Sequence, residues 1–257
     1  MTPRAISPER IGAFFDIDGT ILPGASLEWR FVVYLLAHDD IGMPQIGLWL
    51  AHAARHLFHG PGAAILENKS YLRNLPESLV EMWQRSLASG GGDSESRRRL
   101  ALWPFAEAIE QLKWHAAQRH RIFLLSGTLA PLARLLARQI SERVHAAIEV
   151  CATELDSHCG AWTGQLAGPH ISGAQKAAAI VRLAARNGLS LADSFSYANL
   201  LSDLSGLEIC GHPVAVNPSR GLARCARRRG WPVVQWRGTN VVPSRVVAPP
   251  IHFEEAR

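Results

Sequence analysis

Residues 11–16, Ile-Gly-Ala-Phe-Phe-Asp, are an apolar run that stops at a carboxylate, the pattern of a short buried strand ending in an acidic turn. From 24 to 90 the pattern changes. Leu, Ala, Trp and His recur at helical spacing with little strand signal, and Leu27, Phe31, Tyr34 and Leu35 share one stripe of a helix. Gly42, Pro44, Gly60, Gly62 and Pro76 divide this stretch into several helices, and Ser89-Gly-Gly-Gly-Asp-Ser94 reads as a flexible break at a lid or domain boundary.

Beyond the break the pattern alternates. A helix is expected at about 104–118, a strand at 121–125, a helix at about 129–139 and a strand at 147–152. Residues 153–166 look like a hairpin turning near 158–160. Ser172-Gly-Ala-Gln175 has capping-box spacing, and the helix behind it runs to the stop signal Asn187-Gly188. A strand at 194–198, a short helix from about 203, a strand at 213–216, a final helix and a strand within 232–236 complete the series. Strands separated by helices imply an α/β fold with a parallel, doubly wound, Rossmann-like sheet. The tail from Gly238 carries Pro243, Pro249 and Pro250 and is expected to be irregular.

Composition narrows the class without naming an activity. The chain has 257 residues, 47% hydrophobic and 19% charged, which excludes a disordered or collagen-like protein and leaves room for one large core plus an insert. The net charge of +5 suits an anionic ligand. Arg97–Arg99 and Arg227–Arg229 read as solvated helix faces. A competing reading uses Arg220, Arg224 and Arg227–Arg229 on nucleic acid or anionic lipid, but nucleic acid is not the expected partner. Four scattered cysteines make neither a disulfide framework nor a C-x-x-C zinc pair. The first ten residues lack an apolar signal region and no apolar run is long enough to span a bilayer, so a cytoplasmic setting is the expectation.

Four places carry chemistry, each expected at a strand end or a helix start, where open α/β sheets bind ligands. Phe14-Phe-Asp16-Ile-Asp18-Gly-Thr20 delivers two carboxylates two positions apart. One can attack phosphorus while the other moves a proton. Leu124-Leu-Ser126-Gly127-Thr128 ends a strand and opens a helix, so a hydroxyl and free backbone N–H groups form a phosphate seat. Thr128 alone reads as a plain N-cap. Lys176 stands in the first turn of its helix, where a cation is disfavoured unless it faces an anion; the alternative is a surface lysine. Asn199-Leu-Leu-Ser202-Asp203 offers hard oxygen donors suited to Mg²⁺, or simply an Asx turn and a helix cap.

Taken together and in this order, these motifs resemble those of the haloacid dehalogenase-like hydrolases, in particular the phosphoserine-phosphatase-like subgroup, over roughly 11–236. Ala152-Thr-Glu-Leu, Gly173-x-x-Lys176, Leu207-Glu-Ile-Cys-Gly-His-Pro and Arg229-Gly-Trp-Pro232 are similar to the same subgroup. The resemblance implies a core of residues 1–23 and 96–237, an all-helical cap inserted at 24–95 and a tail at 238–257. It implies a Mg²⁺-dependent phosphomonoester hydrolase of a small phosphorylated metabolite. Asp16 is then the nucleophile that becomes an aspartyl-phosphate, and Asp18 the general acid and later base. Ser126, Gly127, Lys176 and Ser202 lie at the phosphate. Mg²⁺ is held by Asp16, the Asp18 carbonyl and residue 199, with Asp203 supporting it.

The chain departs from that pattern in one place. Asn199 stands where the family usually has Asp, and Leu200 where it tends to be polar. One negative charge fewer implies weaker metal binding. The alternative is therefore a weakened or inactive member of the fold acting as a binding or regulatory protein. Amino-acid-phosphate members carry a Glu soon after the first motif. Glu28 lies farther on than that pattern predicts, so its role is not carried over. Trp29, Trp49 and Trp83 read as packing of a small helical core in preference to an aromatic cage. His52, His56 and His59 share a helix face without a supporting carboxylate or Cys.

Overall fold

The computed structural model describes residues 7–56, 68–89 and 102–238. In chain order the regular elements are β1 (Gly12–Asp16), α1 (Leu27–Ala37), α2 (Met43–His56), α3 (Leu79–Ser89), α4 (Ala106–Ala117), β2 (Arg121–Leu129) and α5 (Ala130–Val144). There follow β3 (Ile148–Thr153), β4 (Leu155–His158), β5 (Ala161–Leu166), α6 (Ala174–Asn187), β6 (Phe195–Ala198), α7 (Leu204–Glu208), β7 (His212–Val216), α8 (Arg220–Arg228) and β8 (Val233–Val234).

Six strands form one parallel sheet in the order β3-β2-β1-β6-β7-β8. β1 is central and buried along its whole length, which is why its sequence is a continuous apolar run without alternation. Its side chains serve opposite faces. Phe14 stacks on Phe123 with ring centroids 5.0 Å apart, and Phe15 stacks on Tyr197 at 4.2 Å. The Phe14 face packs against α6 through Ala179, Ile180 and Ala184. The Phe15 face packs against α4, α5 and the helical insert in one continuous cluster that includes Phe31, Trp83, Leu112 and Leu136.

The order reverses at β1, whose neighbours β2 and β6 are reached in opposite directions. That switch point opens a crevice at the carboxyl ends of β1 and β6, where Asp16 and Asn199 emerge. Between β1 and α4 the described residues hold only helices, 3₁₀ turns and two isolated bridges, Asp18 to Leu22 and Pro76 to Ala161, so the described part of the inserted segment is helical. It is tied to the β4–β5 hairpin by backbone bonds, among them Asn74 N to Trp162 O at 2.8 Å and Trp162 N to Leu75 O at 2.9 Å.

Most expected elements appear where the periodicity placed them, and four readings change. The capping box at Ser172 does not form. Gly173 is the N-cap without a side-chain bond, and the Ser172 hydroxyl instead meets His170 Nδ1 at 2.9 Å. Thr128 is not the N-cap of the next helix, because β2 runs on through Leu129, which takes that place. α5 outlasts its expected end at 139, since Ile140 and Val144 continue its buried stripe. Of the three tryptophans assigned to a small helical core, only Trp83 is fully buried; Trp29 is 56% exposed. Arg227, Arg228 and Arg229 are exposed as expected, and Arg229 also pairs with Glu208 and lies over the Trp231 ring. The side chains of His52, His56 and His59, the glycine break after Ser89, Arg97–Arg99 and residues 239–257 lie outside the described residues. Among those described, no helix is long and apolar enough to cross a membrane.

Candidate active site

Asp16 closes β1, and its carboxylate is held from two sides. Lys176 Nζ lies 2.5 Å from Oδ1, and the Thr20 hydroxyl donates to Oδ2 at 3.0 Å. Lys176 also reaches Asp203 Oδ1 at 3.0 Å, so one buried ammonium bridges two buried carboxylates. Burial alone would lower the lysine; the negative charges of Asp16 and Asp203 outweigh it and raise Lys176 above its ordinary value, so it stays charged. Burial pushes the Asp203 carboxyl up against the opposing pull of Lys176. The first-turn lysine thus faces anions and is no surface residue.

Asp18 points the other way along the chain. Its Oδ1 accepts from the Leu27 backbone N–H at 2.7 Å, the first amide of α1. Burial raises its pKa to about 6, against the stabilising Leu27 bond, with the Asp16 charge adding to the rise. Gly19 makes the turn between the two acidic residues at φ +82°, and a Cβ there would stand 2.0 Å from Asn199 Nδ2. The first and fourth motifs therefore touch at a point only glycine allows.

Three buried polar atoms on this rim have no hydrogen-bond partner: Asn199 Oδ1, Asp203 Oδ2 and Thr128 Oγ1. Orphaned buried oxygens are rare and call for an occupant. Two belong to the acidic loop, and with Asp16 they form an all-oxygen donor set of the kind a hard divalent cation takes. Among the described residues, no three His, Cys, Asp or Glu side chains gather into a ready-made metal cluster, so any such set is mixed with an amide and backbone oxygens.

The second motif forms a tight turn within the extended end of β2. The Ser126 hydroxyl accepts from Thr128 N at 3.1 Å, and Gly127 lies under the His170 ring, 2.8 Å from its Cε1 if a Cβ is added. Thr153 Oγ1 donates to Gly127 O at 2.8 Å and accepts from Ile171 N at 3.1 Å, fastening this turn to the chain that leads into α6. Asp16, Lys176, Asp203 and Asn199 are thus gathered at the crevice. Ser202 sits exposed on the 3₁₀ turn 201–203. Leu200 is 49% exposed. Thr153 and His170 were missed because their roles depend on contacts made 26 and 43 positions away; Thr20 stood inside the first motif without an assigned task.

A buried lysine bridging the strand-end Asp16 and the loop Asp203 at the switch point of a parallel sheet is an arrangement suited to handling a phosphoryl group. The family model described as haloacid dehalogenase-like hydrolase matches residues 13–208, and the chain belongs to that family. It is 32% identical over 249 residues to a probable phosphatase of Mycobacterium tuberculosis, covering 96% of this chain and 83% of that one. It is 32% identical over 228 residues to a phosphoserine phosphatase of the same organism, covering 88% of this chain and 70% of the relative. Among solved structures it resembles a Bordetella pertussis protein of unknown function at a TM-score of 0.65 and 23% identity, covering 88% of this chain and 98% of the other.

Proposed function

We propose that the protein is a Mg²⁺-dependent phosphomonoester hydrolase that acts on a small phosphorylated metabolite through an aspartyl-phosphate on Asp16. The observation that carries this reading is the Lys176 bridge between Asp16 and Asp203, with the unpartnered Asn199 and Asp203 oxygens beside it. An anionic nucleophile approaching an anionic ester needs compensating positive charge, and a buried lysine supplies it without reorganisation. Asp16, the Asp18 carbonyl and Asn199 would hold the metal, with Asp203 supporting them. When bound, Mg²⁺ adds positive charge at the phosphoryl oxygens.

Asp16 attacks phosphorus and the ester P–O bond breaks. Asp18 gives its proton to the departing oxygen, and a carboxyl near pKa 6 is protonated often enough near neutral pH to do so. The same carboxylate then takes a proton from water, which attacks the phosphorus of aspartyl-phosphate and frees inorganic phosphate. Ser126, the Gly127 backbone and Ser202 would receive the phosphoryl oxygens, with Lys176. Residues 24–95 would form the cap over a core of 1–23 and 96–237. The name of the mycobacterial phosphoserine phosphatase supports a small phosphorylated substrate, and that of the probable phosphatase supports the activity. Four free cysteines, Cys151, Cys159, Cys210 and Cys225, suit a reducing cytoplasm.

Hydrolysis of a phosphometabolite panel with and without Mg²⁺, using Asp16→Asn as the blank, tests the reading. An amide cannot form the acyl-phosphate, so the variant should lose all turnover while its melting temperature stays within a few degrees of wild type. Turnover surviving in Asp16→Asn removes Asp16 as nucleophile. The second reading, a binding protein on the same fold, is favoured by Asn199 alone. Phosphate binding without turnover of any panel member would establish it.

A further inference from the structure

A second cavity, of about 420 Å³, lies between α1, α2 and the 3₁₀ turn Ser70–Leu72, a size typical of small-molecule pockets. Its wall is apolar: Trp29, Val32, Leu36, Ile41, Ile46 and Trp49. Its polar end is Glu28, Lys69 and Tyr71. Lys69 Nζ and the Tyr71 hydroxyl both reach Glu28 Oε1, at 2.5 and 2.6 Å. Asn68 fixes the wall by donating to the Trp49 carbonyl at 2.8 Å while its own carbonyl accepts from Ser70, so the cavity is formed in advance.

This cavity begins where the proton donor ends. Ser26 and Glu28, which line it, flank Leu27, whose amide holds Asp18 Oδ1. In the proposed reaction Asp18 protonates the leaving oxygen, so the leaving group departs on the side of the N-terminus of α1. Glu28 is not available to a substrate ammonium, because Lys69, only 4% exposed, already neutralises it. The rim is apolar too. Of the exposed large hydrophobic residues among those described, Trp29, Leu36 and Ile46 line this cavity, and Met43, Leu48 and Leu50 stand on α2 beside it.

Resting on the phosphatase reading, we infer that the leaving group of the substrate is an uncharged apolar chain seated in this cavity, so the substrate class is a single-chain amphiphilic phosphomonoester and not a zwitterionic amino-acid phosphate. The anionic head sits at Lys176 and the chain runs along α1 between Trp29 and Trp49.

The test is a homologous series of n-alkyl phosphates from ethyl to decyl, with O-phosphoserine alongside, assayed below their critical micelle concentrations. Wild type should gain about threefold in kcat/KM per methylene until the cavity is full, and should turn over octyl phosphate faster than O-phosphoserine. A parallel calorimetric titration with methylphosphonate and octylphosphonate, which are not cleaved, reads the cavity without catalysis; octylphosphonate should bind at least about 100-fold tighter. Ile46→Glu and Val32→Glu each place a charge in the wall and should cut that octyl-to-methyl ratio at least tenfold. Two positions guard against misfolding of either one. Equal affinity for the two phosphonates, an unchanged ratio in both variants, or a preference for O-phosphoserine overturns the assignment while leaving the phosphatase reading intact. A strong octyl preference in binding with no hydrolysis of any ester upholds the cavity and fails the phosphatase reading. A chain that sediments as a dimer and binds neither phosphonate uses this face for self-association, and the inference falls.

Discussion

Lys176 and Asp16 are 160 positions apart in the chain and meet at 2.5 Å, with both side chains at least nine-tenths buried. β1 fixes the carboxylate and the first turn of α6 fixes the ammonium, so the contact reports the register of one element against the other. Asp203 makes the lysine's second contact from a third element.

Removing the lysine therefore leaves two buried carboxylates facing each other. Lys176→Ala should lose about 3 kcal/mol of stability, the scale for breaking a buried pair by deleting one partner. It should also lower kcat/KM by at least about 100-fold. Urea denaturation and steady-state kinetics on the same preparation measure both. A variant as stable and as active as wild type would contradict the buried bridge.

Asn199 meets Gly19 so closely that the side chain has little freedom. Asn199→Asp keeps the shape and adds the charge that Mg²⁺ prefers. The variant should bind Mg²⁺ at least about tenfold more tightly by calorimetry, an electrostatic gain of roughly 1.4 kcal/mol. With Leu200 half-exposed, Asn199→Asp with Leu200→Ser should bind Mg²⁺ about as tightly as the single change. Equal Mg²⁺ affinity in wild type and both variants would show that residue 199 is no ligand.

Gly19→Ala tests the contact from the other side. A methyl at φ +82° costs about 1 kcal/mol in backbone strain alone, and the clash with Asn199 adds to it. We expect a loss of about 2 kcal/mol in stability together with weakened Mg²⁺ binding. Thermal denaturation and Mg²⁺ titration of one sample check the pair of effects. Strain without any change in Mg²⁺ affinity would separate Gly19 from the metal loop.

Histidines outside the active site should make folding sensitive to acid. His115 Nε2 meets the Tyr197 hydroxyl at 2.8 Å and its Nδ1 meets His120 Nδ1 at 2.8 Å. Burial, followed by the charge of His120, holds His115 well below its usual value; burial, followed by the charge of His212, lowers His120 to about 4. At these two histidines the unfolded chain binds more protons than the folded one between pH 6.5 and 4, while Asp18, raised to about 6, works in the opposite sense below pH 6. The stabilisation is complete above pH 6.5 and is lost as pH falls toward 4. With His120 only half-buried, a loss of about 1–2 kcal/mol between pH 7.5 and 5 is expected. His120→Gln should flatten that slope in urea titrations; an unchanged slope would place the acid sensitivity elsewhere.

The sequence by itself determined the parallel α/β architecture, because buried central strands must be continuous apolar runs and crossover helices must show a 3.6-residue stripe. Both signals are local, and β1, the Leu27–Phe31–Tyr34–Leu35 stripe and the Asn187-Gly188 stop appear where they placed them. It also picked out Asp16, Lys176 and Asp203, because a carboxylate at a strand end and a cation in a first helical turn are costly unless answered by something elsewhere. What answers them was decided only by tertiary structure. The sequence left Lys176 open to a surface reading, and its partners come from the register of α6 on the sheet. The Ser172 spacing promised a cap, but packing turned that hydroxyl toward His170. Trp29, Trp49 and Trp83 looked alike at helical spacing, yet one fills the core while two line a cavity, because burial depends on which neighbouring helix covers each face. The pairing of Glu28 with Lys69 spans 41 positions, and that contact sets the charge of the cavity. Periodicity along one element carries no information about such partners, since it records which face is covered and not by what.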